Sequence, residues 1–382
     1  LPSTVPDIES WGTDKNIFIY DAAGKYVGIV RHNTDPDAHW RKKGDHDYKK
    51  PYFGYDLTTA VTVREENGPD VPRATKAVRF RPALYNPRQM ALACVGEVAK
   101  KQGCLGDVII DREFTASNHG RDFLLPVRAM GGEPVFDLKQ NQIGAKGTSH
   151  GAILIDGRPY SPSTPKTLWT IQRPMPSRAY KPTPSDIATY QSRIKVREMY
   201  ALVPHGARQA NGVQVYQCPA SAGKMLCPLM ASNKKSKVGL WPAANPPKVA
   251  PLNSVCDAKF RSFSAEELPL AQRHIYGSRE WSDSYARRSE VERSYGNVKD
   301  QASESIRRGQ IRVRGLFKMG LLVSFALASA NVRLAASYSR NQLKKAASSP
   351  RAKRGRPRKH SMATYAAAVL QARHELLVVS RT

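Results

Sequence analysis

Tyr285, Arg288, Glu292, Tyr295 and Lys299 follow one another at intervals of three, four, three and four residues. On an α-helix that spacing lines all five along one face. Packing faces use aliphatic residues, whereas this one sets a single carboxylate between an arginine and a lysine. One reading is a solvated face on which Arg288 and Glu292 form an i,i+4 ion pair. Asp111 weighs against it, because it closes the short apolar run Asp107-Val-Ile-Ile-Asp111. Ligands of open α/β sheets gather at the carboxyl ends of strands. Two carboxylates with cations around them suit a carboxylate-based site flanked by phosphate-binding groups.

The elements that must position these residues are visible in outline. Asn16–Tyr20 and Tyr26–Arg31 flank the turn Asp21-Ala-Ala-Gly24, a hairpin pattern. A polar loop runs from Asn33 to Lys50, and Tyr52–Val63 and Ala77–Arg81 are β-prone runs. Pro87–Lys100 has helical periodicity and Gly103 stops it. The order strand, strand, strand, helix, strand predicts a mixed α/β sheet. Residues 140–280 are rich in Pro, Gly, Ser and Lys, with short β-like pieces at Ala152–Ile155 and Val213–Tyr216 and few long periodic helices. Helical patterns return from Trp281 through Asn297 and from Leu316 through Tyr338. The longest apolar run, Met319–Ala330, falls short of the roughly 20 residues that span a bilayer. It reads as a buried core helix, with no membrane partner.

Composition narrows the partner. Sixty Lys and Arg against 32 Asp and Glu leave a formal charge of +28 over 382 residues, while 41% hydrophobic content excludes wholesale disorder. Such an excess points to a polyanion, most often nucleic acid. Residues 1–150 hold almost none of it, with 21 basic and 19 acidic residues. Residues 151–250 carry 14 against 3 and residues 301–382 carry 17 against 2. Five cysteines without a close pair argue against a disulfide scaffold and for a reducing compartment.

Tyr285-x2-Arg288-x3-Glu292-x6-Lys299 resembles the Tyr-Arg-Glu-Lys signature of a large group of bacterial insertion-sequence DDE transposases. Arg312-x-Arg314-Gly-Leu-Phe-Lys318 and Ala330-Asn-Val-Arg333 are similar to that family's continuation. Val108-Ile-Ile-Asp111-Arg-Glu-Phe114 resembles its second-aspartate strand, and Gly54-Tyr-Asp-Leu57 the strand before it. The likeness covers roughly residues 5–340.

This resemblance implies an α/β fold with a ribonuclease-H-like mixed sheet. Residues 1–139 would hold the first part of the core, 140–280 a basic β-rich insertion, and 281–340 the helices that carry the last acid. It implies a metal-dependent transposase that cleaves DNA strands and transfers them. Asp111 and Glu292 are expected as catalytic residues and ligands of Mg²⁺ or Mn²⁺, since two such ions can activate a water and stabilise the leaving oxygen. Tyr285, Arg288 and Lys299 are expected to bind DNA. The first aspartate has no clear strand: it lies upstream of Leu1, in which case the chain is a truncated transposase, or it is Asp56, Asp7, Asp21 or Asp35. Double-stranded DNA, a homodimer in the synaptic complex and a cytoplasmic, nucleoid-associated location follow from the same likeness. The alternative is an inactive transposase-derived DNA-binding protein.

Residues 341–382 form a basic linker and a short final helix at Met362–Val379. Within it, Arg354-Gly-Arg356-Pro-Arg358 looks like an AT-hook, in which Gly and Pro keep the chain flat and arginines enter a narrow minor groove. A solvated linker touching phosphates would have the same composition. Cys218, Cys227 and Cys256 read as ordinary buried thiols or, with His205, as a zinc site, although Cys-x8-Cys is not close ligand spacing.

Overall fold

The computed structural model describes residues 15–20, 26–32, 35–41, 52–83, 86–177, 180–209, 211–230, 241–242, 246–300, 303–306, 311 and 313–347. It is a mixed α/β structure with small sheets of two or three strands. Strands β1 (Lys15–Tyr20) and β2 (Tyr26–His32) pair as the expected antiparallel hairpin. Strands β3 (His39–Arg41), β4 (Tyr52–Val61) and β5 (Thr75–Pro82) form an antiparallel meander in that order. Helix α1 (Pro87–Gln102) then packs on β4 and β5. Asn86 caps its start through the Arg88 amide, and Gly103, at φ 74°, ends it in the left-handed region.

The next unit positions Asp111. Strand β6 (Asp107–Ile110) crosses over through α2 (Arg121–Ala129) to β7 (Glu133–Phe136), which pairs with it in parallel. A parallel pair needs such a crossover. Phe123, Leu124 and Val127 of α2 are completely buried against Ile110 and Phe136, each contributing about 1.5–3 kcal/mol. The return to β7 is tight: a Cβ on Gly132 would stand 2.9 Å from Val127 and 3.0 Å from Val108.

Among residues 140–280, those described hold short strands in small sheets and one long helix. The meander β8 (Ala145–Ser149), β9 (Ala152–Ile155) and β10 (Arg158–Tyr160) leads into helix α3 (Pro184–Glu198). A second antiparallel sheet joins β11 (Val203–His205), β12 (Gln214–Gln217) and, from further along the chain, Phe260–Phe263. Between these last two partners lie β13 (Met225–Leu226) and β14 (Trp241–Pro242), a parallel pair, so Phe260–Phe263 is β15. Ile155, Tyr160, Ile194 and Tyr190 share one core, and inside it Arg197 pairs with Asp156 at 2.6 Å.

The chain resumes as helices α4 (Arg279–Ala286) and α5 (Ser289–Lys299) and closes with α6 (Leu316–Ala347). Two compact units divide it, Leu1–Ala335 and Ala336–Thr382; of the second, the described residues are the last turns of α6. Asp35 and Asp37 accept the amides of Gly315 and Leu316 at 3.0 and 2.8 Å and so cap α6. Asn331, midway along, exchanges two hydrogen bonds with the Thr75 backbone. Helix α6 was expected as a buried core helix, but only one of its faces is buried, through Val323, Leu327 and Ala330. At 32 residues it is long and apolar enough to cross a membrane by length and composition, the one such helix among the described residues.

Candidate functional site

The five-residue stripe sits on two helices rather than one. Helix α4 carries Tyr285, Arg288 caps α5, and Glu292, Tyr295 and Lys299 lie on α5. The interruption has a local cause. In a continuous helix Ser284 and Ala286 would accept from the amides four residues on; instead Arg287 Nε takes the Ser284 carbonyl at 2.9 Å and Ser289 Oγ takes that of Ala286 at 3.0 Å. The amides of Arg288, Glu290 and Val291 turn to carbonyls three residues back. Arg288 keeps helical torsions (φ −54°, ψ −33°), so the stripe stays roughly in phase across the junction.

Trp281 anchors the junction. It is 1% exposed, and its indole Nε1 donates to the Phe136 carbonyl at 3.2 Å. The Tyr285 ring stacks on it at 5.3 Å, with 10° between the planes. Burial pushes the Tyr285 phenol up to about 12, so it stays neutral. The Arg288 guanidinium lies 5.9 Å from the Tyr285 ring centre, in cation–π contact.

From there Arg288 reaches two acids at once. Its Nη1 stands 2.9 Å from Glu292 and 3.5 Å from Asp111. Burial works to lower the Arg288 pKa, but Tyr285, Asp111 and Glu292 outweigh it and raise it. Asp111 immediately follows β6 and leads into a short 3₁₀ turn, Arg112–Thr115. The structure therefore brings Asp111, Arg288 and Glu292 to one point, with Tyr285 beneath. Both carboxylates are open to solvent, at 51% and 63% exposure.

The remaining expectations fall elsewhere. Lys299 is exposed at the end of α5. Tyr295 turns to β4, accepting from Thr59 Oγ1 at 3.0 Å and donating to the Leu57 carbonyl at 3.2 Å. Leu57 lies on the side of β4 that packs with Val298 and α6, and by alternation Asp56 points to the opposite side. Asp56 is thus not brought to Asp111 and Glu292, and among the described residues no three His, Cys, Asp or Glu side chains gather to hold a metal ion. Asp35 accepts the Tyr55 hydroxyl besides capping α6. Asp7, Asp21 and the hook-like Arg354, Arg356 and Arg358 lie outside the described residues.

Cys218, Cys227 and Cys256 are neighbours. Burial pushes the Cys256 thiol up to about 11, with Cys218 and Cys227 adding to it. The His205 ring packs on Phe260 at 4.5 Å, and among the described residues these side chains form no group that could hold a metal ion.

Two residues of this region escaped the sequence reading. Arg287 is 5% exposed and pairs with Asp107 at 2.6 Å while donating to the Arg64 carbonyl, so it ties the helix junction to the start of β6. Its sequence signal, a second arginine beside Arg288, was out of phase with the stripe. Asp137 follows β7 as Asp111 follows β6, and the register Ile110↔Phe136 makes the two positions equivalent. It accepts the Tyr276 hydroxyl at 2.7 Å, and the Tyr276 ring lies 4.6 Å from Trp281. Pro134-Val-Phe-Asp137 repeats the apolar run closed by an acid that marked Asp111.

No family model, curated protein or solved structure matches the chain.

Proposed function

We propose that the chain is a DDE-type transposase acting on double-stranded DNA, that its core is ribonuclease-H-like, and that Asp111 and Glu292 are two of its catalytic carboxylates. The observation that carries this reading is Arg288, whose one guanidinium meets acids separated by 180 residues of sequence. The chain order of the meander β3–β5, helix α1 and the parallel pair β6–β7 is the one such a core has, although the meander and the pair are separate sheets here rather than one mixed sheet.

The donor set fits the metal. Mg²⁺ takes hard oxygen ligands, usually one or two carboxylates, and leaves its other positions to water and substrate phosphate. Asp111 and Glu292 would hold it, and the bound ion supplies Lewis-acid charge at the scissile phosphate. Arg288 presents a planar fork that suits phosphate oxygens, and its seat on Tyr285 restricts how that fork is aimed. Arg112, exposed beside Asp111 in sequence, adds a second cation next to it. The 3′-hydroxyl freed by cleavage then attacks target DNA at the same carboxylates.

The test is strand cleavage of DNA carrying the sequences that flank the gene, with Mg²⁺ or Mn²⁺ present. Asp111→Ala and Glu292→Ala should lose nicking while binding that DNA within about twofold of the parent. Unchanged nicking by either variant sinks the assignment. A second reading, a transposase-derived protein that binds DNA without cutting it, draws on the lack of a third acid beside Asp111 and Glu292 among the described residues. Tight, salt-sensitive binding with no nicking by the parent chain would select it.

A further inference from the structure

Three arginines are buried among the described residues: Arg128, Arg197 and Arg287. Two of them meet a carboxylate, Arg197 with Asp156 and Arg287 with Asp107, each at 2.6 Å. Arg128, in the last turn of α2 and 9% exposed, forms no ion pair among the described residues. Its Nη1 donates to the Pro269 carbonyl at 2.8 Å and its Nη2 to that of Ala271 at 2.5 Å, while its Nε has no acceptor among them. Carbonyls satisfy two donors but leave the charge itself uncompensated, and a buried cation without a counter-charge is costly. Burial and then the neighbouring Arg208 pull the Arg128 pKa down to about 10, so the cation persists at neutral pH.

Arg128 lines a cavity of about 10 Å³, room for one water-sized guest. Arg208, Gln214, Tyr216, Phe263 and Ser264 line it too, and none of the lining residues is acidic. Glu133, the acid that acts on Arg128, is already paired with Arg208 at 3.0 Å. Arg158 is a third cation here, since its charge acts on the Tyr216 phenol together with those of Arg208 and Arg128. Three arginines against one glutamate leave the place positive. Burial pushes the Tyr216 pKa up against those three charges, so the lining keeps a neutral hydroxyl that can donate.

We infer that the cavity binds one small monatomic anion of the chloride class, as the counter-ion of Arg128 and Arg208. Size and charge select the guest together. A water there would give Arg128 Nε an acceptor but leave the positive charge unbalanced, and a tetrahedral oxyanion needs several times the space. The ion does for Arg128 what Asp156 does for Arg197 and Asp107 does for Arg287. It also joins two parts of the fold, because Arg128 comes from α2, whereas Arg208 and Tyr216 come from the β11–β12 hairpin.

The inference is independent of DNA cleavage and is tested on the full chain without DNA. Crystals soaked in sodium bromide should show an anomalous peak within hydrogen-bonding reach of Arg128 and Arg208. In solution the chain should broaden the chlorine NMR line of sodium chloride, and bromide should reverse the saturable part. Arg208→Gln should weaken chloride about tenfold, through loss of a charge-assisted hydrogen bond. Ala265→Leu tests the space instead: Ala265 lines the cavity, and a larger side chain should fill it and abolish the saturable broadening. That variant keeps the formal charge of +28, so whatever broadening it retains comes from the basic surface at large. Circular dichroism of both variants should match the parent. A water and no bromide at that position overturns the inference, as does saturable broadening that survives Ala265→Leu. Reversal by inorganic phosphate as readily as by bromide overturns the monatomic assignment in favour of an oxyanion.

Discussion

Asp107 and Asp111 stand at the two ends of β6, and the protein treats them in opposite ways. Asp107 has each oxygen taken by an arginine, Arg287 at 2.6 Å and Arg273 at 2.9 Å, and its side chain is 9% exposed. Among the described residues Asp111 has one ion pair, with Arg288 at 3.5 Å, and it is 51% exposed. The two arginines that reach the strand from the helix junction are consecutive, Arg287 turned inward and Arg288 outward. Removing one partner of a buried ion pair leaves an uncompensated charge in a dry place. Exposed pairs are worth little, because water and salt screen them. Stability accounts for the first end, whereas the second holds only an exposed, screened contact, which is consistent with the proposal that places chemistry there.

Substitutions at the two ends should therefore separate activity from stability. The largest effect expected is on cleavage: Asp111→Ala should bring nicking below detection, with thermal stability within about 0.5 kcal/mol of the parent. Asp107→Ala should do the reverse, costing about 3 kcal/mol in denaturant unfolding while nicking per folded molecule persists. If Asp107→Ala is neutral, the contrast between the ends fails. A smaller effect is expected where the helix junction meets the other sheet. Tyr295→Phe removes the bonds to Thr59 and Leu57 and should cost about 1 kcal/mol. A larger loss would mean that docking of α5 on β4, rather than the arginine pairs, positions Glu292.

Parts of this arrangement were readable in the sequence because their causes are local. Helix α1 announces itself by periodicity, a Pro at its first turn and a Gly at its end. Strands β4, β5 and β6 are runs of β-prone residues, and the hairpin β1–β2 has its turn written between them. Helix α3 was missed because it buries little: Tyr190, Ile194 and Arg197 are its buried residues, and one of them is an arginine matched to Asp156 across the core. The α4–α5 break was missed because side chains make it, Arg287 and Ser289 diverting carbonyls that no propensity scale tracks. The exposed half of α6 was misjudged for a related reason. An apolar run shows that a helix seeks cover, not how many of its faces find it within one copy of the chain. The meeting of Asp111 and Glu292 at Arg288 is tertiary, and in the sequence it was visible only through an acid that closes an apolar run and through a family likeness.

The number of cations around an acid is not by itself what separates the two ends of β6, and Glu97 offers the test. Like Asp107 it is held by two cations, Arg79 at 2.6 Å and Lys101 at 2.8 Å, yet its side chain is 30% exposed. Hydrogen bonds from Lys101 and then Arg79 lower its pKa against the opposing effect of burial. A carboxyl depressed in the folded state stabilises above its unfolded pKa of about 4.3, and that contribution fades as pH falls through the lower folded value. Glu97→Gln should thus cost no more than about 0.5 kcal/mol at pH 7. Its unfolding curve should converge on that of the parent as pH falls through that lower folded value. If the loss at pH 7 equals that of Asp107→Ala, partner number rather than burial sets the strength of these acids. The open state of Asp111 would then reflect only its single arginine.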